Sequence, residues 1–393
     1  MHKVSSRILP VIVIAQFFCT SLWFAGNVVL PDLAANFNIA KSTAGHIIAA
    51  VQFGFISGTL VYSIFLIADR FRPSAVFFCS AMLAALSNLL ITCFASDINL
   101  ILFLRFLTGF FLAGIYPVGM KIAADHFEKG LGKALGFLVG ALVVGTALPH
   151  LLKSFTAHLP WKTVLFLTSG LSVIGGILMF VFVPSKPAAA SRGSINYPAV
   201  FKNFKSKSFL KAAFGYFGHM WELYAFWAFV PFILVTYKSL HPGELTDISR
   251  MAFYIIAGGG IACVAAGYFS KIFTVKKTAF SALLLSGVCC LVSPLAFQLP
   301  VIPFICFLIF WGLVVIADSP LFSTMVAQHA IVQVKGTAIT FVTCIGFSIT
   351  IASIELLNYL SAQFNPQYIF MILAIGPIAG LLLMLPLQDQ ATT

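Results

Sequence analysis

Four side chains that carry charge stand inside long apolar runs of this 393-residue chain: Arg105, Glu222, Asp318 and Glu355. If those runs cross a bilayer, each charge costs roughly 2.5–3.5 kcal/mol on insertion scales, and ionisable groups kept there face a cavity or a partner. A carboxyl group at such a depth can take up and release a proton, and a nearby histidine can share it. His219 precedes Glu222 by three residues, so on a helix the two share a face. His219, Glu222, Asp318 and Glu355 are therefore the candidates for coupling to protons. Arg105 is the candidate for attracting an anionic solute or for balancing the empty site.

Competing structural roles exist for each. Arg105 could brace two helices, Glu222 and His219 could close an interhelical hydrogen bond, and Asp318 beside Ser319-Pro320 could bond backbone freed by the proline. Gln16, Thr20, Trp23 and Asn27 follow i, i+4, i+7 and i+11, a polar and aromatic stripe on an apolar segment. Arg105, Gly109, Leu112 and Tyr116 repeat that spacing, and Trp311, Asp318 and Phe322 share one face further on. Gln16, Trp23, Asn27, Arg105, Tyr116 and Trp311 are the expected substrate contacts, although both tryptophans could equally be packing.

The elements that must hold these residues are membrane spans. The chain is 60% hydrophobic and 9% charged, with a mean hydropathy of +1.03. Soluble domains carry about 25% charged residues. Apolar spans of about 20 residues are expected near 8–30, 44–67, 74–95, 98–120, 132–152, 162–183, 210–236, 250–270, 278–297, 301–327, 336–361 and 367–386. The first is too long for a signal-peptide apolar core of about 7–15 residues and is read as a retained helix.

Lysine and arginine fix the expected orientation. With the N-terminus inside, 17 basic residues fall on the cytoplasmic side and 5 outside, which predicts cytoplasmic termini by the positive-inside rule. The net charge of +12 thus reports topology; no nucleic-acid partner is expected. The eight cysteines lie in apolar stretches without metal-ligand spacing, so neither a disulfide scaffold nor a metal or other cofactor is expected.

Residues 184–209 form the one long connection, opening Pro-Ser-Lys-Pro and continuing through Tyr197 to Lys205 with alternating basic and aromatic residues. That part reads as a short helix on the anionic inner surface. It separates an N-terminal bundle, 1–183, from a C-terminal one, 210–393. Lys133 and Lys335, Asp69 and Lys271, Pro117 and Pro320, and Trp23 and Trp227 are matched at offsets of 202 to 204 residues. Such a repeat predicts two parallel halves related about the membrane normal.

The loop after the second span reads Phe65-Leu66-Ile67-Ala68-Asp69-Arg70-Phe71-Arg72-Pro73. It resembles the Gly-x-x-x-Asp-Arg-x-Gly-Arg signature of the major facilitator superfamily, with both glycines replaced. Arg105-Phe106-Leu107-Thr108-Gly109 is similar to that family's Arg-x-x-Gln-Gly element. Gly136, Gly140 and Gly145 loosely follow its glycine-rich antiporter element, but Pro149-His150 stands where Gly-Pro would end it.

The resemblance covers the whole chain. It implies an all-α membrane protein of twelve helices in two pseudo-symmetric six-helix bundles, with spans one, four, seven and ten lining a central cavity. It makes Asp69, Arg70 and Arg72 a cytoplasmic gate able to pair with the opposite half. The function expected is secondary active transport of a small polar or charged organic solute by alternating access. Coupling to protons is expected, in a monomer of the bacterial inner membrane. A proton-coupled exporter of drug-like or siderophore-like compounds is the alternative. A membrane enzyme or receptor fits less well, because no HExxH, GxSxG or Walker pattern occurs and no soluble output domain is evident.

Overall fold

The computed structural model of the protein describes residues 7–37, 43–94, 97–127, 131–184, 201–243, 245–331 and 335–385. Among them every regular element is helical. Eleven helices are long and apolar enough to cross a bilayer: Ile8–Ala35, His46–Ile64, Pro73–Leu90, Ile98–His126, Ala134–Phe155, Lys162–Phe182, Lys207–Leu240, Ile248–Phe273, Val275–Ala296, Val301–His329 and Thr337–Gln363. A shorter apolar stretch, Ile369–Met384, supplies the twelfth, and its first six residues wind as a 3-10 helix. These are spans 1 to 12 below. Helices are what an apolar solvent requires, since every backbone polar group must find its partner within the segment.

The expected spans are all present, but several run longer than hydropathy alone suggests. Span 4 continues to His126, span 7 covers Lys207–Leu240 and span 10 continues to His329. Their extra turns are polar, so they leave no apolar signal, yet the helical hydrogen-bond ladder carries on through them.

Three spans are broken. Span 1 is interrupted at Ser21, between Ile8–Thr20 and Leu22–Phe37. Span 4 breaks at residues 113–115 and restarts at Tyr116 with Pro117 in its first turn. Span 10 breaks at Asp318 and restarts at Ser319 with Pro320 in its first turn. Proline lacks the amide proton that the preceding turn would use, which accounts for both restarts. The repeat in the sequence is thus visible in the backbone, because spans 4 and 10 are both 29 residues long and both close on an 11-residue segment.

Small residues set the helix spacing. A Cβ on Gly109 of span 4 would lie 2.0 Å from the Val51 carbonyl oxygen of span 2, and one on Gly54 would lie as close to the Phe106 carbonyl oxygen. Without a hydrophobic drive between helices in lipid, such backbone approach is what packs a bundle. Spans 5 and 8 bring the halves together where Gly140 faces Gly260.

At the end remote from the connection between spans 6 and 7, polar contacts also join the halves. His46 of span 2 lies 3.2 Å from Glu355 of span 11, and Ser154 Oγ donates to Asp247 at 2.5 Å. Residues 185–200 of that connection lie outside the described residues. Its end, 201–203, is helical and docks on the C-terminal half, where buried Asn203 accepts from the Ile331 amide at 2.7 Å. Phe201 and Lys202 of this piece are exposed, and the rest of the expected surface helix lies outside the described residues.

Candidate functional site

Spans 7, 9 and 10 converge on Glu222, which is 1% exposed. Its Oε1 accepts from Trp311 Nε1 at 2.7 Å and from Cys290 Sγ at 3.3 Å, while its Oε2 accepts from Ser286 Oγ at 2.8 Å. Three donors around one carboxylate offset much of the desolvation that burial imposes. Phe226 stacks on Trp311 with ring centroids 4.5 Å apart and fixes the indole that makes the shortest of the three bonds. Trp311, expected as a substrate contact, is 1% exposed in this conformation and donates its indole N–H to Glu222.

One turn nearer the connecting segment lies a second buried pair. His219 Nδ1 stands 2.7 Å from Asp318 Oδ1, with both side chains at most 1% exposed. His219 Nε2 has no hydrogen-bond partner, and apart from that 2.7 Å contact neither Asp318 carboxylate oxygen has one. The pairing exists because span 10 breaks at Asp318: the residue caps the end of one helical segment and the start of the next, and its carbonyl accepts from Leu321 and Phe322. His219 and Glu222 do share a helix face, as their spacing predicts. They do not bond to each other; they form two rungs between spans 7 and 10, His219 to Asp318 and Glu222 to Trp311.

Arg105 is completely buried in the N-terminal half, and no carboxylate lies within ion-pair distance among the described residues. Its Nη1 donates to the Leu22 carbonyl at 3.2 Å and its Nη2 to the Trp23 carbonyl at 2.6 Å. Those carbonyls lie just past the break in span 1. Gly26 leaves the room: a Cβ there would sit 2.6 Å from Arg105 Nε. The guanidinium therefore braces span 1 against span 4, and Nε is its one nitrogen without a hydrogen-bond partner.

The stripe on span 1 divides at the break. Gln16 is buried against Gly119 of span 4, with both amide atoms unpartnered, and Thr20 points at Gly145 of span 5. Both side chains lie against helices of their own half in this conformation. Trp23, past the break, crosses to the other half. Its ring lies 4.8 Å from Phe55, 5.6 Å from Tyr224 and 5.8 Å from Phe347, so spans 1, 2, 7 and 11 meet in one aromatic junction. Asn27 is half-buried with Oδ1 unpartnered, and Tyr116 is half-buried at the span 4 restart.

Glu355 is partly exposed and tied to His46, in a different environment from the two buried acids. Asp69 pairs with Lys121 of its own half at 2.9 Å, and Lys121 also approaches Asp125 at 3.7 Å. Arg70 and Arg72 are exposed. In this conformation the ion pair that Asp69 makes lies within the N-terminal half.

Ser286, Cys290, Tyr224 and Phe347 were not expected at the site. Ser286 and Cys290 are one turn apart on span 9, a weak polar signal on a helix that the family pattern does not place at the cavity. Nothing in the sequence marks Tyr224 or Phe347 among so many aromatics. No cluster of three metal-ligating side chains occurs among the described residues.

Twelve apolar helices among the described residues, in two halves with spans 4 and 10 broken at equivalent points, define a polytopic membrane protein. The sequence model of the Major Facilitator Superfamily matches residues 12–354, and the chain belongs to that family. It is similar to an uncharacterized transporter, YgaY, from Escherichia coli O157:H7, and to its counterpart in strain K12. Each is 26% identical over 247 residues, 58% of this chain and 60% of the relative's length.

Among solved structures, a mutant of the nucleoside transporter NupG superposes with a TM-score of 0.73 at 12% identity, covering 97% of this chain and all of that one. A bacterial homolog of the human lysosomal transporter Spinster, inward-facing and unoccupied, gives 0.66 at 13% identity over 98% of this chain and 95% of its own. These likenesses speak for the fold alone.

Proposed function

We propose that this protein is a proton-coupled secondary transporter that moves a small polar or charged organic solute by alternating access. In this reading Glu222 is the principal proton carrier, Asp318 with His219 is the second titrating unit, and both termini lie in the cytoplasm of a bacterial inner membrane. The observation that carries the reading is the hydrogen-bond set of Glu222. Trp311 can only donate, whereas the Ser286 hydroxyl can donate or accept. A proton arriving on Oε2 is accommodated by rotating Ser286, while Oε1 keeps its bond to Trp311. The carboxyl group can therefore exist in both protonation states without leaving a buried donor stranded, which is what a carrier needs and a purely structural carboxylate does not.

The solute would occupy the space between the halves, near Asn27 and Tyr116, with the Trp23 junction closing one end. Arg105 is the buried fixed positive charge of the N-terminal half, with Nε unpartnered against Gly26. The weight on an organic anion is reduced because the other guanidinium bonds go to backbone. The same aromatic junction favours, as a second reading, an exporter of drug-like compounds, since Trp23, Tyr224 and Phe347 would stack on flat apolar solutes.

The test is uptake into proteoliposomes with an imposed pH gradient, screening nucleosides, organic anions and lipophilic cations. With a solute in hand, Glu222→Gln is expected to abolish gradient-driven accumulation while sparing solute exchange. Gradient-driven accumulation at the wild-type rate in that variant would remove Glu222 from the mechanism. The direction of gradient that drives movement separates importer from exporter.

A further inference from the structure

The far side of the C-terminal half carries a feature that transport by the central site does not use. Spans 8, 9 and 10 enclose a groove of about 700 Å³. Its span 8 wall is formed by Ala262, Phe269 and Phe273, on the side of that helix opposite Gly260, which faces the other half, at about 100° per residue. Leu313 and Ala317 of span 10 form the floor, just before the Asp318 break. Phe269, Phe273 and Leu285 at its lips are 52%, 57% and 43% exposed, which is the pattern of a surface that faces lipid.

The mouth of the groove is basic. Lys276 and Lys277 line it in the first turn of span 9, at the end where the connection between spans 6 and 7 also lies. Thr274, in a left-handed conformation at φ 75°, forms the turn between spans 8 and 9, and its Oγ1 accepts from the Lys277 amide at 3.4 Å. Lys271 precedes that turn, and the sequence holds no acidic residue between Asp247 and Asp318. From Lys276 down to Leu285 is nine residues, roughly 13 Å of helix, or nearly half of a ~30 Å hydrocarbon core. The groove thus has an apolar trough one leaflet deep, opening at its interfacial end on two ammonium groups.

We propose that this groove binds an anionic phospholipid of the leaflet on that side, one acyl chain lying along spans 8 to 10 and the phosphate held by Lys276 and Lys277. Basic pockets between helices at the membrane interface recognise anionic headgroups by this combination of charge and apolar wall. A lysine ammonium suits the task because it acts as a point charge with rotatable donors and needs no planar partner. A lipid seated there touches span 10 beside Asp318, so its presence would also stiffen the segment that carries the second titrating pair.

The experiment is a thermal-stability titration of the delipidated protein in detergent. The additions are phosphatidylglycerol, phosphatidylcholine of the same chains, and inorganic phosphate. Phosphatidylglycerol is expected to raise the melting temperature in a saturable way, with little effect from the other two. Lys276→Gln/Lys277→Gln should weaken that response about tenfold or more. Ser281→Trp, which fills the groove from an exposed lining position and leaves both lysines in place, should weaken it as well. Both variants are first checked for the wild-type melting temperature without lipid. Equal stabilisation by both lipids, an equal effect of inorganic phosphate, or a wild-type phosphatidylglycerol response in both variants would overturn the proposal.

Discussion

Spans 1 and 4 and spans 7 and 10 are the same frame built twice, 203 residues apart, with different chemistry inside. At that offset His219 replaces Gln16, Asp318 replaces Ile115, Glu222 replaces Cys19 and Trp311 replaces Thr108. Arg105, in turn, stands where the C-terminal half has Leu308. The N-terminal half fills its break with a cation bonded to backbone carbonyls. The C-terminal half fills its own with an acid facing a histidine. One half is a braced wall, and the other carries the groups proposed to change charge. The lesson is that one helical frame, built twice, carries different polar groups at its breaks: the span 1 break faces Arg105 and has no counterpart in the continuous span 7, whereas the span 10 break places Asp318 beside His219.

The sharpest way to break this comparison is to write one half into the other. His219→Gln leaves Asp318 buried without its histidine, and truncating one member of a buried charged pair costs about 3–5 kcal/mol. Adding Asp318→Ile, the residue its counterpart holds, should restore most of that stability but not gradient-driven transport. Melting temperature and uptake, measured on both single variants and the double one, give the coupling energy directly. Additive effects would mean the two residues do not act as a pair.

Arg105→Leu makes the opposite exchange. Two carbonyls at the span 1 break lose their donor, and an unsatisfied buried acceptor costs about 1–3 kcal/mol. Because helical amides still reach those carbonyls, the loss of stability should lie at the low end of that range, read by thermal unfolding. A variant that is fully stable yet loses affinity for an anionic solute would move Arg105 from brace to binding residue.

Glycine variants probe the same brace more gently. Gly26→Ala places a methyl group against Arg105 and should cost about 1–3 kcal/mol, as overpacking does. Gly136→Ala meets nothing within 4 Å and should stabilise by up to about 1 kcal/mol through helix propensity. A similar response at both sites would argue against the tight Arg105–Gly26 fit.

The smallest effect is expected at the tie between the halves. Burial tends to raise the pKa of Asp247, but hydrogen bonds from Ser154 and the Arg250 amide, with the Arg250 charge, outweigh it and leave the pKa below the usual aspartate value. A depressed value stabilises the folded form above the unfolded value of about 3.9, and that contribution disappears as pH falls through the folded one. Asp247→Asn should therefore lower the melting temperature slightly at pH 7 and not at all in strong acid.

Much of this was legible in the chain. Twelve apolar runs, the paired prolines Pro117 and Pro320, and the short list of intramembrane charges follow from local composition, and each needs only the next few residues to be read. Glu222, Asp318 and Arg105 were identifiable because a charge in an apolar run stands out against its neighbours. Their partners were not, since Ser286 and Cys290 lie 64 and 68 residues from Glu222. The shared face of His219 and Glu222 was correctly implied by spacing, but spacing on one helix cannot tell which second helix each will meet.

What the sequence determined by itself is the membrane class, the number of spans, the twofold repeat and the places where charge is buried. All of these are set by hydropathy, backbone hydrogen bonding and proline chemistry acting locally. The tertiary structure decided which of those charges bond to backbone carbonyls, as Arg105 does, and which meet other side chains, as Glu222 and Asp318 do. The deciding step is the approach of helices across glycines such as Gly109, Gly140 and Gly260, because a buried charge takes its role from whichever donors and acceptors packing brings within 3 Å of it.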